Sequence, residues 1–322
     1  MKSIMRKHNP SFSSTNSIFP LLRLALAPSA EAPDLSALTG ADWEALVNLS
    51  FEQGVAAVAV DGLQSLYDRQ PELELALDSQ ELEPLKYEWF GATFQAEEDY
   101  SQQVEAISSL ARTYAQSGIS MMLLKGYGLG LNYPIPQHRP TGDIDVYLIN
   151  DNDDDNDDCG PSTGSGQALL PAWKCGDEII RKRGIKVDSG HEHHTTFQFQ
   201  GQMVENHYDF INTKAHRDAR KIETKLKELA KIGCKEHLMP DGTRILLPSA
   251  DFNAIFLIRH LGQHFAGEHI TLRQVMDWGL FLQNEGAQVH WDEVTPFLRE
   301  MCLFRMSGIR RLMFRGLCGS IR

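Results

Sequence analysis

Cysteine is scarce and unpatterned in this chain. The five residues (Cys159, Cys175, Cys234, Cys302, Cys318) include no Cys-x-x-Cys pair. That excludes a zinc-thiolate module, and the odd count points to a reducing compartment rather than a disulfide framework. No apolar run approaches the ~18–20 residues that a membrane helix needs, so no membrane partner is expected. Positive charge is in the minority: 31 Lys and Arg face 43 Asp and Glu, for a formal net charge of -12. Nucleic acid is therefore not held by bulk electrostatics and would need a local basic surface. There is no Walker A sequence, and the glycines after Gly126 do not spell a dinucleotide fingerprint, because Leu131 stands where the last glycine belongs. Near the N-terminus, Pro20 and Arg23 interrupt the short apolar stretch that follows Lys2, Arg6 and Lys7. We therefore expect no secretory signal and a cytoplasmic protein.

What the chain does have is a concentrated motif between residues 121 and 148. An apolar run, Met121-Met122-Leu123-Leu124, ends on Lys125-Gly126. A turn-rich segment with Pro134, Pro136 and Pro140 follows, and Gly142-Asp143-Ile144-Asp145 leads into a second apolar run. Strand alternation puts Asp143 and Asp145 on one face. Two carboxylates that close are unfavourable without a cation between them. Mg²⁺ typically takes one or two carboxylates together with substrate phosphates. Gly126 offers a turn able to approach a phosphate. Arg139, just before the aspartates, has two readings: a phosphate contact or a salt bridge that orients the loop.

A second constellation follows at Val204-Glu205-Asn206-His207-Tyr208-Asp209-Phe210. The alternation from Thr195, a turn at residues 200–202 and a second strand over 203–211 predict a hairpin. Glu205, His207 and Asp209 then share a face, and either Glu205 or Asp209 supplies a third carboxylate beside Asp143 and Asp145. His191, His193 and His194 do not match the spacing of a dedicated zinc motif such as His-Glu-x-x-His. They read better, with His207, as groups near the site that contact a base or phosphate.

The rest of the chain reads as helix and linker. Helical periodicity runs over 18–26, 42–49, 55–66 and 78–115, with apolar stripes that mark core packing. Residues 151–158 hold six aspartates in eight positions, but the glycine and glutamate of a calcium loop are missing. With the Gly/Ser-rich run after it, this reads as a solvated insertion at about 150–167. Lys214, His216, Arg217, Arg220, Lys221, Lys225 and Lys227 form a basic helical segment, either a solvated face or a surface for a polyanionic acceptor. Helices follow from Asp251 and from Trp291 to Arg315. These spans divide the chain into a helical region 1–116, a core 117–213 and a helical region 214–322.

Leu124-Lys125-Gly126, Tyr133-Pro134, Arg139-Pro140 and Gly142-Asp143-Ile144-Asp145, with Glu205-x-His207 later, resemble the uncharacterised nucleotidyltransferase family of the DNA polymerase β-like superfamily. Lys125-Gly126 stands where Gly-Ser or Gly-Gly is more usual. The His260…His264-Phe265…Leu272-Arg273…Asp277-Trp278 series is similar to that family's C-terminal helical region, where it would wall the nucleotide cleft. The resemblance implies an α+β fold, a small mixed-sheet nucleotidyltransferase core between helical flanks. It implies metal-dependent transfer of an NMP from an NTP to a hydroxyl acceptor (protein, RNA or small molecule), with Mg²⁺ or Mn²⁺ on Asp143, Asp145 and Glu205. Lys125, Gly126, Arg139 and His207 would then serve the nucleotide. Two other readings stand beside it: a non-catalytic binding module on the same fold, and a histidine-dependent metal hydrolase.

Overall fold

The computed structural model describes residues 12–150, 158–159, 170–214, 218–267 and 269–301, with side chains left aside at 12–16, 158–159 and 264–267. Residues 1–11, most of the acidic insertion, the side chain of His264 and the final helical stretch beyond residue 301 lie outside this description.

Four helices open the chain: α1 (Phe12–Leu26), α2 (Gly40–Glu52), α3 (Ala56–Arg69) and the long α4 (Glu83–Ala115). Thr39 caps α2. Its hydroxyl accepts from the Asp42 N–H, and the Asp42 carboxylate accepts from the Thr39 N–H. This reciprocal pair satisfies donors that a helix start would leave unpaired. Trp43, Trp89, Leu21, Leu46, Leu63 and Leu66 form the fully buried centre of this first cluster. Gly62 lets α1 and α3 touch: a Cβ there would lie 2.1 Å from the Leu21 carbonyl oxygen.

Next come β1 (Ile119–Leu123), the one-turn α5 (Tyr127–Gly130), β2 (Ile144–Asn150), a small pair β3 (Asp158–Cys159) and β4 (Leu170–Pro171), and α6 (Ala172–Lys182). Strands β5 (Val187–Asp188), β6 (His194–Phe199) and β7 (Gln202–His207) precede α7 (Ala219–Lys231). Then β8 (Lys235–Leu238), β9 (Arg244–Leu247), α8 (Ala250–Gly267), α9 (Leu272–Asn284) and α10 (Trp291–Glu300) complete the described chain. Seven strands form one mixed sheet in the order β5-β6-β7-β2-β1-β9-β8, with β2 parallel to β7 and antiparallel to β1. The fold is thus α+β, a mixed sheet with helical regions on either side in sequence. Among the described residues, no helix is long and apolar enough to cross a membrane.

Alternation divides each central strand. Ile144, Val146 and Leu148 of β2 join Val204, Phe197 and Phe199 beneath α4 and α6. Met122 and Tyr147 face the other way, toward Phe210, Phe252 and the α7–α8 layer. A sheet covered on both faces has near-continuous apolar strands, so the few polar residues on β2 and β7 stand out.

Three expectations need correction. The sheet does not stop at residue 213, because β8 and β9 add two strands from 235–247. The second hairpin strand ends at His207 rather than Ile211. The Tyr208 and Asp209 N–H groups turn back onto the His193 carbonyl, and those of Phe210 and Ile211 donate to the Glu223 carboxylate, so no strand partner is left for them. Where reduced cysteines were expected, Cys175 is disulfide-bonded and Cys234 is a free thiol.

Candidate active site

The parallel pairing of β2 with β7 sets Asp145 directly opposite Glu205, and Tyr147 opposite His207. Asp145 is buried, whereas Asp143, just before the strand, is exposed at the mouth of a cleft. Among the described residues, Asp145, Glu205 and His207 form one set whose possible metal-ligand atoms all lie within 4.8 Å of one another; His193, His194 and His207 form another. The hairpin brings the second set to the first, since His194 pairs with His207 across β6 and β7.

Asp145 is where charges meet. Its Oδ1 lies 3.1 Å from Lys125 Nζ and 3.1 Å from His207 Nε2, which is also 3.3 Å from Glu205 Oε2. His207 Nδ1 donates to the Asp209 carbonyl at 3.2 Å, and Nε2 faces two carboxylate oxygens, so a cation is required at that point. Burial opposes the imidazolium, but the hydrogen bonds to Asp145 and Glu205 prevail and hold His207 up to about 9. Burial also opposes ionisation of Glu205, and the hydrogen bond from His207, with the nearby His194, outweighs it, so its carboxyl falls below the ordinary range. Asp143 goes the other way. Burial, then the charges of Glu205 and Asp145, raise it against the pull of Lys125. Burial drives His194 down to about 4.

That opposition is the test of fit for a metal. Asp145 and Glu205 meet, Asp143 nearby is raised by burial and then by their charges, and the donors are hard oxygens, the set that Mg²⁺ or Mn²⁺ accepts. Asp143 stands outside the tight 4.8 Å set but within its field. Asp143, Asp145 and Glu205 are therefore the residues that could hold such an ion.

The loop carrying Asp143 is tied at several points. Gln103 of α4 donates to the Gly142 carbonyl at 2.7 Å. His138 bridges Asp61 of α3 at 2.8 Å and Glu97 of α4 at 3.2 Å. Arg139 forms a two-point pair with Asp277 of α9, Nε–Oδ1 2.8 Å and Nη2–Oδ2 2.9 Å, and Tyr133 donates its hydroxyl to the same carboxylate at 2.8 Å. Of the two roles open to Arg139, the geometry is that of the salt bridge. Burial alone would favour a neutral guanidinium; Asp277 reverses this and keeps it charged.

Gly126 has φ +60° and ψ −110°, and a Cβ there would lie 3.7 Å from the Asp143 carbonyl oxygen. Only glycine adopts that backbone without strain. It opens onto a cleft of about 250 Å³. Lys125, Gly126, Asp143 and Asp145 form one wall; Leu257 and Leu261 of α8 and Arg273, Gln274 and Trp278 of α9 form the other.

Asp209, expected on the same face as Glu205 and His207, lies past the strand end with its carboxylate 2.6 Å from Lys227 Nζ. The carboxylate brought to Asp145 is that of Glu205. The parallel register makes the choice, and strand alternation alone could not reveal it. Sequence reasoning also passed over Gln103, a buried glutamine on the apolar stripe of α4, and the role of Asp277 as anchor for the loop. Both are polar residues at core positions, which is the trace they leave in the sequence.

A family model described as an uncharacterised nucleotidyltransferase matches residues 39–153 and 172–317, most of the chain. Among solved structures, the crystal structure of an antigenic nucleotidyltransferase-like protein from Paracoccidioides brasiliensis is similar at 13% identity, with a TM-score of 0.40, over 69% of this chain and 94% of that one. No curated protein matches.

Proposed function

Because this chain belongs to the uncharacterised nucleotidyltransferase family, we propose that it moves an NMP from an NTP to a hydroxyl acceptor in a metal-dependent reaction. The observation that carries the reading is the placement of Asp145 opposite Glu205, with Asp143 beside them at the mouth of the cleft. When bound there, Mg²⁺ or Mn²⁺ neutralises phosphate charge and favours ionisation of the acceptor hydroxyl.

The chain's own residues do the positioning. Asp143, Asp145 and Glu205 would hold the ion. The Gly126 backbone lets the polyphosphate approach without a side chain between. Lys125 supplies one positive charge. Arg139 and Arg273 both line the cleft, and Arg273 is the better second, because the Arg139 guanidinium is held by Asp277 and the Pro140 carbonyl. Transfer then follows from orientation and fixed charge, the terms that dominate phosphoryl chemistry. The acceptor hydroxyl would belong to a protein, an RNA end or a small molecule, and a cytoplasmic setting would supply both NTP and Mg²⁺.

One observation favours a second reading. Lys125 and His207 already compensate the Asp145 charge, as they would in a non-catalytic binding module. Calorimetric titration of each NTP with Mg²⁺ or Mn²⁺ separates the two, using wild type and Asp143→Ala/Asp145→Ala. Metal-dependent binding that disappears in the double variant supports the transferase. Folded wild type that binds no nucleotide supports the module.

A further inference from the structure

Beside the carboxylates lies a group of imidazoles of which the transferase reading uses only His207. His193, His194 and His207 bring ligand atoms within 4.8 Å of one another. Their rings are closely packed: 4.4 Å between the centroids of His193 and His194, and 5.1 Å between His194 and His207. Neighbours in a strand point to opposite faces. His193 escapes that rule because it lies in the bend before β6, pinned by its carbonyl to the Tyr208 and Asp209 N–H groups. Both rings can therefore lean over the end of β7.

The nitrogens of this group are poorly satisfied. His194 is 6% exposed, and neither of its ring nitrogens has a hydrogen-bond partner; His193 Nδ1 is likewise buried and unpartnered. Buried polar atoms in folded proteins are nearly always hydrogen-bonded, so three unpartnered nitrogens together at one point call for a ligand. The site is closed in by Glu205, whose Oε1 is 3.7 Å from His194 Nε2.

We propose that His193, His194 and His207, with Glu205 as the oxygen donor, form a second metal site, selective for a borderline divalent transition ion such as Zn²⁺. Imidazole suits such ions, whereas Mg²⁺ demands oxygen. Zn–N bonds of about 2.0–2.1 Å set tetrahedral ligands about 3.4 Å apart, so modest side-chain rotations close the present set around an ion. The His207 contact with the Asp209 carbonyl supplies the second-sphere bond that usually orients a metal-binding imidazole. Sequence spacing hides the site because two ligands are adjacent and the third arrives across a hairpin. The inference stands whether or not the protein transfers a nucleotide.

The test uses the full chain, stripped with chelator and titrated with Co²⁺ alone in millimolar Mg²⁺. One equivalent should produce the intense visible absorption of a four- or five-coordinate site. The band should vanish in His194→Ala, weaken at least about tenfold in apparent affinity in His193→Ala, and persist in Asp143→Asn. Only the weak absorption of octahedral Co²⁺ in wild type would overturn the proposal. So would a band kept in His194→Ala, above all one lost in Asp143→Asn, which would place the ion on the carboxylates. Should the histidine variants fail to fold, proton NMR of Co²⁺-loaded wild type decides: three shifted, exchangeable imidazole N–H resonances are expected, and fewer overturn the proposal.

Discussion

Asp277→Ala should be among the most damaging single changes near the site. Arg139 and Asp277 are 8% and 7% exposed, and the pair is joined at 2.8 and 2.9 Å, with Tyr133 donating to the same carboxylate. Truncating Asp277 leaves a guanidinium buried without its counter-charge, which typically costs about 3–5 kcal/mol. The stranded Tyr133 hydroxyl adds roughly 1–3 kcal/mol where it finds no other acceptor. The two losses share one carboxylate and are not additive, so we expect about 4 kcal/mol, a large share of the roughly 5–15 kcal/mol of a typical domain. Equilibrium urea unfolding measures it as a shift in midpoint at constant slope. Arg139→Met/Asp277→Leu removes both charges and should recover most of the loss, because an apolar replacement avoids the desolvation penalty. A loss under about 1 kcal/mol for Asp277→Ala would refute the reasoning, since surface pairs have that worth. The Asp143 loop would then be held by Gln103 and His138 rather than by the buried pair.

Gly62→Ala forces a methyl group onto the Leu21 backbone, which cannot give way as a side chain could; thermal denaturation should report a loss of about 1–3 kcal/mol from overpacking. Gly126→Ala imposes φ +60° and ψ −110° on a residue with a Cβ, and urea unfolding should show about 1–3 kcal/mol of strain. Glu223 accepts from the Phe210 and Ile211 N–H groups, yet burial, the largest influence, and the Asp209 charge push its carboxyl up to about 7 from 4.5. Its native form binds the proton more tightly, so the stability it contributes is complete below pH 4.5 and is lost as pH rises through 7. That window corresponds to about 3 kcal/mol. Urea unfolding from pH 4.5 to 8 should show the decline, and Glu223→Gln should flatten it; an unchanged slope would remove Glu223 as its source.

Much of this architecture is written in local pattern. The helices of the first 115 residues follow from apolar spacing, and the cap on α2 follows from Thr39 and Asp42. The Lys125-Gly126 turn and the Asp143/Asp145 pair are legible because both flanking strands are nearly all apolar, so each polar residue there marks a place where the chain leaves the core. The third carboxylate was ambiguous for a definite reason. Alternation assigns Glu205, His207 and Asp209 alike, and the end of β7 depends on where distant groups take up its N–H donors, here the His193 carbonyl and Glu223. The strands β8 and β9 hid for a similar reason: Leu238 is exposed at the sheet edge, and Lys235, Glu236 and His237 alternate without an apolar face. Arg139 shows the same limit from the other side. A basic residue beside an aspartate motif suggests a phosphate contact, but Asp277 lies 138 positions away and claims it. Residues whose role depends on one local neighbour can be read from sequence; those whose partner arrives through the fold cannot. In this protein the second class includes Arg139, the choice of Glu205 over Asp209, and the imidazoles gathered over β7.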